Sequence, residues 1–121
     1  MKSLLRVVPA LFIFLLLVTG CRMAAPSETA SAQAHLGTRA TKAGLSREAY
    51  FRFERALALD PDNARYLNNL AILAEALGKL ELAEAHYAKA VALAPGDKRI
   101  RENHEKLTAY LDPGKPPDPG R

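Results

Sequence analysis

A shift of 34 residues lays this chain on itself. Pro61 falls on Pro95, Leu36 on Leu70, Gly44 on Gly78, Ala49 on Ala83, Phe53 on Tyr87, Ala56 on Ala90 and Leu59 on Leu93, with no gap. Such a period demands a small unit that buries its apolar face on copies of itself, which excludes most folds at once. The matched residues have separate physical tasks. Ala49, Ala83, Ala56 and Ala90 let helices approach at the short end of the usual spacing of about 8–10 Å, and Phe53 and Tyr87 fill the space beside them. Gly44 and Gly78 permit the left-handed backbone that ends a first helix, and Pro61 and Pro95 stop the second. Asp62 or Asn63, and Asp97, stand where they can cap the helices that follow.

The stretch "NNLAILAEALGKLELAEAHYAKAVALAPGD" resembles the tetratricopeptide repeat, a helix-turn-helix unit of 34 residues. The resemblance rests on Leu70 followed by small Ala71, Gly78, Ala83, Tyr87, Ala90 and Pro95. It implies an all-α fold, a short TPR α-solenoid with repeats at 30–63 and 64–97 and a capping helix at 98–111. In that last helix Ile100, His104, Leu107 and Leu111 recur at helical spacing and give one semi-apolar face. The first repeat departs from the pattern in its opening helix, expected from Ser31 to Ala43. Gln33 replaces a bulky residue, Leu36 is the one large apolar side chain, and Gly37 with two threonines lowers helix propensity. This helix is expected to be the least stable element, firming up against a partner or a second copy. The tail from 112 to 121, "DPGKPPDPGR", reads as disordered and polyproline-like.

The N-terminus answers to different rules. Lys2 and Arg6 precede a largely apolar run, Val7 to Val18, which is followed by small Thr19 and Gly20, the layout of a secretory signal peptide over residues 1–20. A bilayer span takes roughly 20 apolar residues, and this run is shorter. Val18-Thr19-Gly20-Cys21 resembles the lipobox of bacterial lipoproteins. The resemblance implies diacylglyceryl transfer to the Cys21 thiol, cleavage before it, and a lipidated (palmitate-bearing) Cys21 joined to the repeats by a linker over 21–29. Cys21 is the single cysteine, so it closes no internal disulfide. It is a tether, without redox or catalytic work.

Beyond the signal segment, 101 residues suffice for one domain. The net charge of +4 includes Lys2 and Arg6, leaving +2, too little to argue for nucleic acid. The inventory for catalysis is thin. His35, His86 and His104 lie in different helices without ligand spacing, no phosphate loop is present, and no serine or cysteine has an adjacent base. His86, next to the core aromatic Tyr87, is expected to be largely exposed, and His104 to pack under the capping helix. The sequence therefore predicts no catalytic residue, metal or cofactor.

What remains is surface. Arg65, Asn68, Asn69, Ile72 and Glu75 follow a helical rhythm away from the stripe of Leu67, Leu70, Ala71 and Ala74. In tetratricopeptide proteins the matching face lines a groove that holds peptide segments. Thr38 and Lys42 from the first repeat, with Arg99 and Lys106 from the capping helix, would border it. Ile72 stands where clamps for C-terminal carboxylates carry asparagine, which argues against that specificity. The expected function is a lipid-anchored adaptor for protein-protein interaction at the bacterial cell envelope, a scaffold in pilus, secretion or outer-membrane assembly. Its partners would be an envelope protein or peptide segment, the membrane through the lipid, and in self-association a second copy. The alternative is a regulatory accessory subunit of an envelope enzyme such as a cell-wall synthase or hydrolase. Arg22, where many inner-membrane lipoproteins carry aspartate, leans towards the outer membrane, facing the periplasm.

Overall fold

The computed structural model describes residues 28–114. The expected signal segment, Cys21 and residues 115–121 of the tail lie outside the described residues. The described part is all-α, with α1 (Ala30–Lys42), α2 (Ser46–Leu59), α3 (Ala64–Ala76), α4 (Leu80–Leu93) and α5 (Lys98–Leu111). Helix α1 packs on α2 and α3 on α4, and the two pairs join through α2 against α3, with α5 closing on α4. Among the described residues no helix is long and apolar enough to cross a membrane.

Local chemistry sets each boundary. The two turns inside the repeats are one turn used twice. Gly44 (φ 74) and Gly78 (φ 72) occupy the left-handed region. Gly44 N–H donates to Thr41 O and Leu45 N–H to Ala40 O, while Gly78 N–H donates to Glu75 O and Lys79 N–H to Ala74 O. These paired bonds are the Schellman arrangement, which satisfies the last carbonyls of the helix. Asn63, and not Asp62, caps α3: its Oδ1 accepts from the N–H groups of Arg65 and Tyr66 at 3.1 and 3.3 Å. Its Nδ2 meanwhile donates to Asp60 Oδ2 at 2.7 Å, which orients the amide for that task. Asp97 caps α5 in the same way through Arg99 and Ile100. Helix α1 begins at Ala30, one residue earlier than the sequence suggested, because the Thr29 hydroxyl accepts from Ala32 N–H at 3.1 Å.

The interior is built on small residues. Ala49, Ala56, Ala71, Ala74, Ala83 and Ala90 are all fully buried, and Phe53 and Tyr87 fill the interhelical space as the repeat register requires. Helix α5 contributes buried Ile100 and Leu107. Leu111 does not extend that face; it is exposed.

The first repeat differs from the second in a consistent way. Leu70 is fully buried, whereas Leu36 at the equivalent position is 39% exposed, since no helix pair precedes α1 among the described residues. Within α1 only Gln33, Gly37 and Ala40 are buried. Gln33 is buried with both ends of its amide satisfied: Nε2 donates to Glu28 Oε1 at 3.0 Å, and Oε1 accepts from Arg52 at 3.3 Å. Glu28 also pairs with Arg55, and Arg52 with Glu48. Gly37, which propensity marks as a weakness, is a packing requirement. A Cβ built there would stand 2.8 Å from Cδ2 and Cε2 of Phe53.

Candidate protein-contact surface

Residues one period apart on α1, α3 and α5 occupy equivalent places in the stack, so the first helices present aligned rows. Thr38, Ile72 and Lys106 form one row and Lys42, Ala76 and Tyr110 another. Of the residues that the helical rhythm selected, Arg65 is exposed, Ile72 is 42% exposed and Asn69 is half-buried; Thr38 and Lys42, expected to border them, are exposed. Arg99 and Lys106 are exposed as well.

Two of the selected residues have structural employment. Asn68 is only 2% exposed, so it does not belong to the free surface. Its Oδ1 accepts from Asn103 Nδ2 at 3.0 Å, which pins α5 to α3. Helical spacing placed Asn68 outward because it could not anticipate a third first-helix lying against that flank. Glu75 is half-buried and accepts the Tyr87 hydroxyl at 2.5 Å. Burial, with that hydrogen bond and the adjacent carboxylate, pushes the Tyr87 phenol well above its usual range. Glu75 is thereby a strut between the two helices of its repeat.

One histidine departs from expectation, and His104 packs under the capping helix as expected. His86 is half-buried, because Tyr50 reaches across from α2 to place its Oη 3.0 Å from His86 Nε2. Burial pushes the His86 pKa down, with Lys89 adding to the effect and Glu54 opposing it. The same burial, with Glu54, raises that of Tyr50. The hydroxyl donates to a bare Nε2 or accepts from Nε2–H according to the tautomer, so the pairing itself survives protonation of the ring, and burial of the charge is what opposes it. The unfolded chain binds this proton more readily than the folded one. Stability from His86 is therefore complete above the free imidazole value of about 6.5 and is lost as pH falls from there through the lower folded value. Urea unfolding at pH 7.5 and at pH 5 is expected to show a smaller pH difference for His86→Gln than for the parent; an unchanged difference would remove His86 as its source. His104 lies against the Tyr87 ring and donates from Nε2 to Glu84 at 3.0 Å, bridging α5 to α4.

A concavity on another part of the molecule escaped sequence reasoning. Arg47, Tyr50, Phe51, Glu54, Leu77 and Lys79 line an open depression of about 230 Å³ between α2 and the α3–α4 turn. Lys79 Nζ stands 5.6 Å from the centre of the Tyr50 ring. Its residues come from two helices and a turn, with charges of both signs, so no spacing in the chain announces it.

Comparison with known proteins agrees with the architecture. Residues 53–85, from the core aromatic of the first repeat to the second helix of the next, match the family model described as "Tetratricopeptide repeat". Over 71 residues the chain is 32% identical to the mouse "Protein O-mannosyl-transferase TMTC1", covering 59% of this chain and 8% of that protein. The chain thus spans under a tenth of that relative's length. A family model matched over residues 53–85, a gapless 34-residue register and two copies of one glycine turn converge: the chain carries a tetratricopeptide repeat within an all-α helical stack.

Proposed function

We propose that the protein is a lipid-anchored adaptor of a bacterial cell envelope, held through Cys21 and facing the periplasm from the outer membrane, where it positions a protein partner rather than catalysing a reaction. The observation that carries the anchoring is Val18-Thr19-Gly20-Cys21 behind a basic start and an apolar run. The repeat array supports the adaptor part, since it leaves the first helices' outer face, with Thr38, Arg65 and Ile72, open to a partner. A lipid chain contributes about 0.8 kcal/mol per buried methylene, so one chain holds reversibly and two or more hold stably. Arg22 beside the cysteine supports the outer-membrane assignment, and pilus, secretion or outer-membrane assembly are the settings such an adaptor would serve.

Metabolic labelling with an alkynyl fatty acid tests the anchor. The parent chain is expected to take the label and partition with membranes, and Cys21→Ser to lose essentially all of both. Equal labelling of the two would overturn the proposal.

A further inference from the structure

The depression beside α2 and the end of α5 are neighbours in space, although they lie far apart in the chain. Helices α4 and α5 pack as an antiparallel pair joined by residues 94–97, and His104 lies against the Tyr87 ring. Seven residues on from His104 is Leu111, where α5 ends, and seven back from Tyr87 is Leu80, where α4 begins. The chain therefore leaves α5 level with Lys79, across one packed helix pair of about 8–10 Å. Lys79 is also a wall of the depression.

Phe51 is 45% exposed, and with buried Tyr50 and half-buried Leu77 it gives the depression an apolar lining. Arg47, Glu54 and Lys79 stand exposed around it, and among the described residues none of the three is in an ion pair. Arg47 and Lys79 have N–H groups to donate and nothing with which to accept. The sequence beyond Gly114, Lys-Pro-Pro-Asp-Pro-Gly-Arg, has the opposite inventory. Its prolines offer apolar rings and carbonyls but no N–H, and Asp118 adds a carboxylate. Aromatic-lined grooves take polyproline segments because such a segment is already stiff and loses little entropy on binding.

We propose that the depression is a polyproline-binding site and that residues 115–121 of the same chain fill it. Pro116, Pro117 and Pro119 lie against Phe51, Tyr50 and Leu77, and Asp118 answers Arg47 and Lys79. A polyproline chain advances about 3.1 Å per residue, so seven residues reach about 22 Å, roughly twice the helix spacing to be crossed. A tether this short holds the segment at an effective concentration in the millimolar range, so a contact too weak to join two molecules suffices. Filling the site ties the capping helix back to the first repeat. The proposal requires neither the lipid anchor nor a partner protein.

The test is made on the full chain in neutral detergent. A nitroxide is attached after Arg121→Cys in a Cys21→Ser background, and paramagnetic broadening of the backbone amide signals is read by NMR. Amides of residues 47–54 and 77–79 are expected to lose most of their intensity, to the same degree at every protein concentration. Asp118→Lys should restore most of that intensity, as should Pro116→Ser with Pro117→Ser and Pro119→Ser; these changes keep the length and the label and leave the helices untouched. Phe51→Ser should restore it from the other side of the contact. Leu59→Ser, at an exposed leucine where α2 ends, should alter nothing. Broadening confined to the end of α5 overturns the proposal, as does broadening that the tail variants leave in place. Broadening that fades on dilution overturns the intramolecular contact and assigns the site to the tail of a second copy. Fatty-acid labelling of Cys21 in the parent chain is read separately, so the anchor and this site fail independently.

Discussion

Leu70→Ala is expected to cost about 2–5 kcal/mol, and Leu36→Ala, the same change one repeat earlier, less than about 1 kcal/mol. The two residues share a place in the period, yet Leu70 is enclosed by both helix pairs and Leu36 lies at the open flank of α1. Truncating Leu70 loses transfer free energy and leaves a cavity in a core where many of the buried side chains are alanines, too short to fill it. A small domain has only about 5–15 kcal/mol in total, so this single change should bring the unfolding midpoint close to room conditions or abolish folding. Urea denaturation of both variants decides the matter. Similar losses at the two sites would show that Leu36 is covered in solution, as by a second copy, and dilution would then separate them.

Gly37→Ala sets two effects against each other. Alanine improves a helix interior by roughly 0.5–1 kcal/mol relative to glycine. The added methyl, however, meets the Phe53 ring at 2.8 Å, and the ring is itself buried with no free side to retreat to. Overpacking of that kind costs about 1–3 kcal/mol, so the net change should be destabilising. The second measurement is the cycle with Phe53→Leu. If the clash is the cause, Gly37→Ala becomes neutral or stabilising in that background, and a coupling near zero would refute it.

The glycine shows where sequence reading succeeds and where it stops. Periodicity finds what recurs: the 34-residue register located Gly44, Gly78, Phe53, Tyr87 and the alanines because each does the same work twice. Gly37 and Gln33 occur in one repeat alone, so the only signals they gave were low propensity and a missing bulky residue, and both pointed to weakness. The structure instead gives Gly37 a ring to accommodate and Gln33 two hydrogen-bond partners. One partner, Glu28, precedes the repeat and the other comes from the next helix, distances along the chain that no pattern connects. The candidate surface was legible in the same proportion. Arg65 and Ile72 follow from helical rhythm and Thr38 and Lys42 from the repeat register, whereas Asn68 and His86 were misplaced because each is held by a residue 35 or 36 positions away.

The row that begins at Gln33 carries a further meaning. One period on stands Leu67, and one more Arg101, while the row beside it runs Gly37, Ala71 and Glu105. In both rows the middle member is apolar and buried, whereas the outer members hold either polar groups or no side chain at all. A stack of identical units has no intrinsic reason to stop growing, and two such stacks no reason not to join end to end. Here the outer members interrupt that pattern: Glu105 is a charge where the middle repeat has buried Ala71, and Gln33 is a hydrogen-bonded amide where it has buried Leu67. A joint between two stacks would therefore have to bury side chains unlike those that stacking buries within one.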